Sequence, residues 1–260
     1  MVSFCHAAPR RAGAPFRPRL QRWGPGFLIL LLLALLPGSP AAAADAEPAP
    51  LAVVVATLEK GYAELRDLQA AFTQRTTLTA LKREEKGAGE LFLKRPASGT
   101  ALLRFVYHKP KQEIIVDGKN VWFYLPENRQ VLVSDLAAVF AGGNGVALQY
   151  LTGLGTISRD FTISFIGNGR DKNGNYLLEL VPRTPSPMLA KLQLTVAAEA
   201  VARYRETGTP GNPFPLLAST VHDPLGNRTA IEFSKVRTNR GISNERFTFK
   251  VPPGVDVIRP

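Results

Sequence analysis

The residues able to do chemistry are few and scattered. Downstream of residue 44 the chain holds two histidines, His108 and His222, far apart in sequence, and no cysteine, because the single cysteine is Cys5. No Gly-x-Ser-x-Gly elbow presents a nucleophilic serine. His222 beside Asp223 is a pair that metal binding or acid–base exchange could use, yet it opens "HDPLGN", where a turn needs polar residues for its own hydrogen bonds. "GNGRDKNG" has the glycines of a phosphate loop without the strand-to-helix context such a loop requires, so it too reads as a turn. The chain is expected to be no enzyme and to hold no metal and no cofactor.

One charged residue breaks the local pattern. In "GELFLKRPASG", residues 89–99, strand alternation puts Leu91, Leu93 and Arg95 on one face and Glu90, Phe92 and Lys94 on the other. An arginine in phase with two leucines, directly before Pro96, either pairs with a surface acid or serves a purpose on the apolar face. Its guanidinium brings five donors and a permanent charge to whatever it meets.

The elements that must position Arg95 begin after an export leader. Five arginines (Arg10, Arg11, Arg17, Arg19, Arg22) and no acid precede the apolar run "FLILLLLALL", residues 27–36, and small residues follow in "PGSPAAAADA". This is the pattern of a secretory signal, and the run is well short of the roughly 20 residues a spanning helix needs. Adjacent Arg10 and Arg11 raise a twin-arginine reading, but "RRAGAPF" lacks that signal's usual neighbours, so a Sec signal over 1–44 is expected, cleaved after Ala44. No cysteine follows the run to carry a lipid anchor. Residues 45–260 are then expected to form a single soluble domain without disulfides, held by its core.

Losing the leader changes the charge. Five of the 32 basic residues and none of the 21 acidic ones lie in 1–44, which leaves 27 against 21, or +6 instead of the formal +11. That suits an anionic membrane surface or an acidic partner as well as a mixed solvated surface, and it gives no case for nucleic acid in an exported chain.

Leu51, Val55, Leu58, Tyr62 and Leu65 recur at helical spacing after the leader "DAEPAP", predicting one amphipathic helix of about four turns. Short β-like segments follow near 70–79, 88–95, 101–108, 112–117, 120–125 and 129–134. "HKPKQ", "DGKN" and "LPENRQ" turn them into an antiparallel meander. Residues 134–154 break the pattern with a Ser134 N-cap, a helical group of Leu136, Val139 and Phe140, a "GGNG" hinge, and a second apolar turn containing Leu148 and Leu151. Strands resume near 160–166, 175–182, 189–196, 200–206, 215–222, 228–235 and 246–251, with hairpins at "NGRDKNGN" and "DPLGN" and a longer loop at "TGTPGNPFP". The fold class predicted is mainly β with an α lid: a strongly curved sheet or partly open barrel of about a dozen antiparallel strands.

Alternation proposes an apolar lining of Phe72, Leu91, Leu93, Leu103, Phe105, Tyr107, Ile114 and Val116, which fits a ligand cavity or an ordinary closed core. In 120–125, Val121 and Phe123 alternate with Trp122 and Tyr124, and either set could point inward.

The pieces "FTQ" (Phe72, Gln74), "GELFLKRP", "LRFVYHKP", "IIVDGKNVWFY" and "PENRQV", with the closing "DPLGNRTAIEF" and "ERFTFKVPPGVDVI", together resemble the LolA family in order and spacing. The resemblance implies an incomplete antiparallel β-barrel of about 11 strands, covered by the long N-terminal helix and short helical lid segments. It implies a periplasmic carrier whose apolar cavity takes the acyl chains of lipoproteins. Its partners would be an inner-membrane lipoprotein-releasing transporter and an outer-membrane acceptor lipoprotein, and it would act as a monomer. The arginine of the family's "RP" motif would be Arg95, hydrogen-bonding lid carbonyls as a latch on the empty state. A binder of another lipid (a glycolipid or hopanoid) and an envelope-stress sensor module share the scaffold. Three features depart from the family pattern: a longer stretch between Arg95 and Phe105, Phe105 where a tryptophan is frequent, and the insertion-like "TGTPGNPFP".

Overall fold

The computed structural model describes residues 49–97, 100–141 and 157–259. The leader over 1–44, the "GGNG" hinge and the candidate lid residues Leu148 and Leu151 lie outside the described residues, as does the Phe140 side chain.

Helix α1 spans Leu51–Glu64; of the stripe that the spacing predicts, Val55, Leu58, Tyr62 and Leu65 just past its end are buried and Leu51 is partly so, while Val54, outside that stripe, is fully buried as well. Three consecutive valines and Gly61 make it a poor helix in isolation. It has no side-chain N-cap bond, no acid in its first turn and no base in its last. Packing must therefore hold it. Gly61 allows part of that packing, since a Cβ there would lie 2.9 Å from the Pro213 carbonyl oxygen.

Strands β1 (Asp67–Leu78), β2 (Arg83–Lys94), β3 (Leu102–Lys109), β4 (Lys111–Val116), β5 (Asn120–Leu125) and β6 (Gln130–Asp135) form the first meander. Helix α2 (Leu136–Ala141) follows, then a helical turn at Ile157–Asp160. The second meander is β7 (Phe161–Arg170), β8 (Tyr176–Pro182), β9 (Lys191–Val196), helix α3 (Ala198–Thr207), β10 (Leu216–His222) and β11 (Arg228–Thr238), and the short β12 is Asp256–Ile258. All twelve belong to one open sheet, in the order β12-β6-β5-β4-β3-β2-β1-β11-β10-β9-β8-β7. Pairing of β1 with β11 joins the meanders. Eleven strands pair antiparallel, while β12 joins β6 in parallel.

Three expectations are corrected. Residues 200–206 are helix: alternation in "VARYR" imitates a strand, but alanines favour helix, Glu199 and Arg205 sit at the ends matching the macrodipole, and Gly208 caps the helix at φ 73°. Residues 246–251 form no strand; they continue from a 3-10 turn at Asn244–Phe247 as a cover on the sheet. The N-cap of α2 is Asp135, whose Oδ1 accepts from Ala137 N at 2.9 Å and Ala138 N at 3.1 Å, in place of Ser134. The parallel strand β12 is a fourth difference, because no hairpin signal announces a parallel partner.

The long Arg95–Phe105 stretch does not disturb the register. Leu93 faces Leu103 and Leu91 faces Phe105 across β2 and β3, so the extra residues are absorbed in the connection.

Candidate functional site

Register sorts the two faces of the first meander. Leu68, Leu93, Leu103, Val116 and Val121 stand in one row, and Ala70, Leu91, Phe105, Ile114 and Phe123 in the next. Phe72 and Tyr107 flank Gly89 in a third. Of the eight predicted lining residues, all but Ile114 are buried, and Ile114 packs against them. Phe72 meets Phe105 edge-on at 5.2 Å and Tyr107 at 4.9 Å. Tyr107 Oη donates to Gln74 Oε1 at 2.7 Å, and burial pushes its pKa up to about 12.

Strand β5 is now settled: Val121 packs on this apolar face, while Trp122 and Tyr124 turn outward to Phe249, with ring centroids at 5.4 and 5.3 Å. Trp122 Nε1 donates to Asp117 Oδ2 at 2.7 Å. Burial pushes the Asp117 carboxyl up, but hydrogen bonds from Asn120, Trp122 and Lys119 outweigh it and hold the pKa below its ordinary value.

The same apolar face continues across the second meander through Ile163, Phe165, Tyr176, Leu178, Leu180, Leu192, Leu194 and Val196. Helix α1 lies in the same cluster as both halves, so it roofs a continuous apolar surface. Of the candidate lid residues, Leu136 is buried in that cluster and Val139 is half-buried.

Arg95 stands just past β2, half-buried, and reaches the C-terminal end of this roof. Its Nη1 donates to the carbonyl oxygens of Tyr62 and, at 3.4 Å, Leu65. Its own amide donates to Arg66 O at 2.7 Å. A cation at the carbonyl end of a helix is favoured by the unsatisfied groups and the macrodipole there. Sequence reasoning found the residue by its phase but missed its companion: Asn239, just after β11, donates through Nδ2 to Glu64 O at 3.1 Å and accepts from Arg66 N at 2.8 Å. Residue type was the only hint in the sequence, since asparagine tolerates the left-handed region that it occupies here at φ 57°.

The insertion-like "TGTPGNPFP" also works on the roof. Phe214, 1% exposed, stands edge-on between Tyr62 at 6.0 Å and Phe233 at 5.2 Å. A shallow groove of about 410 Å³ opens beside α1, between Leu51, Val55 and Glu59 on the helix and Phe161, Ile163 and Arg183 at the β7 edge. Glu59 Oε1 accepts from both Ser158 N at 2.9 Å and Ser158 Oγ at 2.6 Å, tying the turn after the undescribed segment to the helix. His108 and His222 stand on different strands, β3 and β10, and His222 Nε2 bonds Gln193 at 3.1 Å. Among the described residues, no group of acids and histidines is arranged to hold a metal ion.

The site is thus an open sheet, antiparallel but for β12, whose continuous apolar face is roofed by a helix held at one end by polar bonds. Comparison with known proteins gives the family. The family model described as outer membrane lipoprotein carrier protein LolA matches residues 63–207, more than half of the chain. An outer-membrane lipoprotein carrier protein of Nitrosospira multiformis is 30% identical over 206 residues, covering 78% of this chain and 87% of that protein. One of Pseudomonas paraeruginosa is 30% identical over 195 residues, covering 74% and 81%. A solved LolA superfamily protein, NE2245 from Nitrosomonas europaea, matches with a TM-score of 0.37 at 14% identity, over 76% of this chain and 96% of that one. The chain belongs to the LolA family of lipoprotein carriers.

Proposed function

We propose that this protein is a soluble periplasmic carrier. It takes the acyl chains of lipoproteins between α1 and the concave face, and ferries them from an inner-membrane releasing transporter to the outer membrane. The observation that carries this reading is the gripped roof. Each methylene of an acyl chain removed from water contributes about 0.8 kcal/mol, so a carrier needs an apolar surface as extensive as this one. With the lining residues buried against α1, that surface is satisfied by the protein itself, and cargo must separate roof from sheet.

Separation breaks the bonds from Arg95 to Tyr62 O and Leu65 O. Hydrogen bonds to a charged group contribute roughly 1.5–3 kcal/mol, so the closed state competes with cargo and makes handover possible. Low intrinsic helicity of α1 means that the roof stays helical only against an apolar partner, which is the sheet in the closed state and acyl chains in the loaded one. The names of the relatives, lipoprotein carriers, support lipoprotein as the cargo class.

The test is incubation of the protein with inner membranes that release lipoproteins, followed by mass spectrometry of what it retains. Acylated lipoprotein in a one-to-one complex supports the reading; recovery of free glycolipid or hopanoid alone would sink it. In the same assay Arg95→Leu is expected to load normally and to pass cargo to an outer-membrane acceptor about tenfold more slowly, as loss of roughly 1.5 kcal/mol from the closed state implies. Unchanged handover would remove the latch.

A further inference from the structure

Two hairpin tips meet at the end of the sheet opposite Arg95. Strand β1 runs from Asp67, paired with Lys94, to Leu78, paired with Arg83, so the β1–β2 turn at 79–82 lies a full strand length from the roof grip. There it is fastened to the β10–β11 turn. Thr79 N donates to Asn227 Oδ1 at 3.0 Å, and Thr79 Oγ1 donates to Gly226 O at 2.6 Å. The second turn is itself rigid, since both carboxylate oxygens of Asp223 accept from Asn227, each at 2.8 Å.

On this clamped pair stand Leu81 and Leu225, 69% and 81% exposed, the two most exposed large apolar side chains among the described residues. Neither turn needs a leucine, because their geometry comes from Thr79, Asp223, Gly226 and Asn227. The surrounding charge is unbalanced. Glu84 is held by Arg75 and Lys86, Glu85 by Arg83, and Asp223 by its own turn. Lys82 and Arg228, both exposed, have no ion-pair partner among the described residues.

A protein partner that binds stably covers about 800 Å² per side with matched shape, which two protruding tips do not offer. A bilayer surface needs no matched shape: it accepts apolar side chains at headgroup depth and sets phosphates beside cations. We propose that the paired tips dock the protein reversibly on the surface of an anionic phospholipid bilayer, Leu81 and Leu225 dipping in while Lys82 and Arg228 meet headgroup phosphates. The contact is independent of the cargo reading, because a vesicle without lipoprotein suffices for it.

Flotation tests it with the processed protein as exporting cells produce it, its N-terminus read by mass spectrometry. Vesicles of phosphatidylethanolamine with phosphatidylglycerol are expected to carry the protein, and vesicles of phosphatidylcholine alone are not. Leu81→Ser with Leu225→Ser is expected to lower the bound fraction about tenfold, and Lys82→Gln or Arg228→Gln about fivefold each, more weakly at high salt. Thermal melts of these surface variants should match the parent. A Leu225→Trp probe should shift its emission to the blue with anionic vesicles. Equal binding to both vesicle types, undiminished binding by the double leucine variant, or no spectral shift would each overturn the proposal. So would saturable capture by one envelope protein with no vesicle binding.

Discussion

The first meander, β1–β6, buries apolar side chains on both of its faces, whereas the second, β7–β11, buries them on one. Behind the concave lining of the first lie Phe92, Ile115, Val131 and Val133, also buried, under a cover formed by the C-terminal segment. Phe247 is 1% exposed, Phe249 lies on Trp122 and Tyr124, and the Arg246 guanidinium sits 4.7 Å from the Phe92 ring centre. Arg104 ties cover to sheet, bonding Glu113 Oε2 through Nε at 2.9 Å and Arg246 O through Nη1 at 2.9 Å. The outer face of the second meander is wet instead. There Glu179 accepts from Lys191 at 2.8 Å and Gln193 at 3.2 Å, with His222 alongside. Strands with apolar side chains on both sides lose the apolar–polar alternation that a one-sided sheet keeps.

The largest expected effect breaks the covered outer face. Phe247→Ala should destabilise by about 3–5 kcal/mol, because a buried ring is lost and a cavity remains. The matched change on the wet face, Gln193→Ala, should cost under about 1 kcal/mol. Urea unfolding of both variants compares them directly, and similar midpoints would erase the distinction between the halves.

Next is Gly89→Ala, in the two-sided half. An added Cβ would lie 2.0 Å from the Val106 carbonyl oxygen, which is backbone and cannot rotate away. Separation of β2 from β3 should cost about 3 kcal/mol, read as a lower melting temperature. An unchanged melt would mean that the two strands approach less closely there.

The smallest effect belongs to the wet face and depends on pH. Burial first, then the charges of Lys191 and Arg228, lower the His222 pKa, with Glu179 opposing. A folded pKa below the unfolded one makes neutral His222 stabilising above the ordinary value near 6.5, and that contribution is lost as pH falls below it. Stability should therefore decline modestly between pH 7 and 5, and His222→Gln should flatten that part of the profile. Glu179, lowered by its bonds to Lys191 and Gln193, acts in a more acidic window, since its contribution is lost only as pH falls past the ordinary carboxylate value. An identical slope in the His222 variant would assign the decline elsewhere.

These differences explain which parts of the fold were legible. In β8 and β9 strict alternation marks the element, and polar Glu179, Lys191 and Gln193 stand together on the outside. In β5 the pattern Val121–Trp122–Phe123–Tyr124 cannot name an inside, because both faces carry apolar side chains, one set on the core and the other on Phe249. The alternation of Phe247, Phe249 and Val251 makes 246–251 look like a strand when it is the cover. In the 200–206 segment a strand-like alternation competes with alanines, terminal charges and Gly208, and the helical signals prevail.

At the site, residue type and parity alone put Leu91, Leu93 and Arg95 in phase and gathered Leu103, Phe105 and Tyr107 with them, because side-chain direction in a strand is local geometry. What Arg95 holds is a tertiary matter. Tyr62 and Leu65 lie about thirty residues upstream, and Asn239 arrives from the far end of the chain once β11 pairs with β1. Local patterning determined which side chains share a face; only long-range pairing decided which backbone carbonyls would stand before the arginine, because hydrogen-bond partners in space leave no period in the sequence.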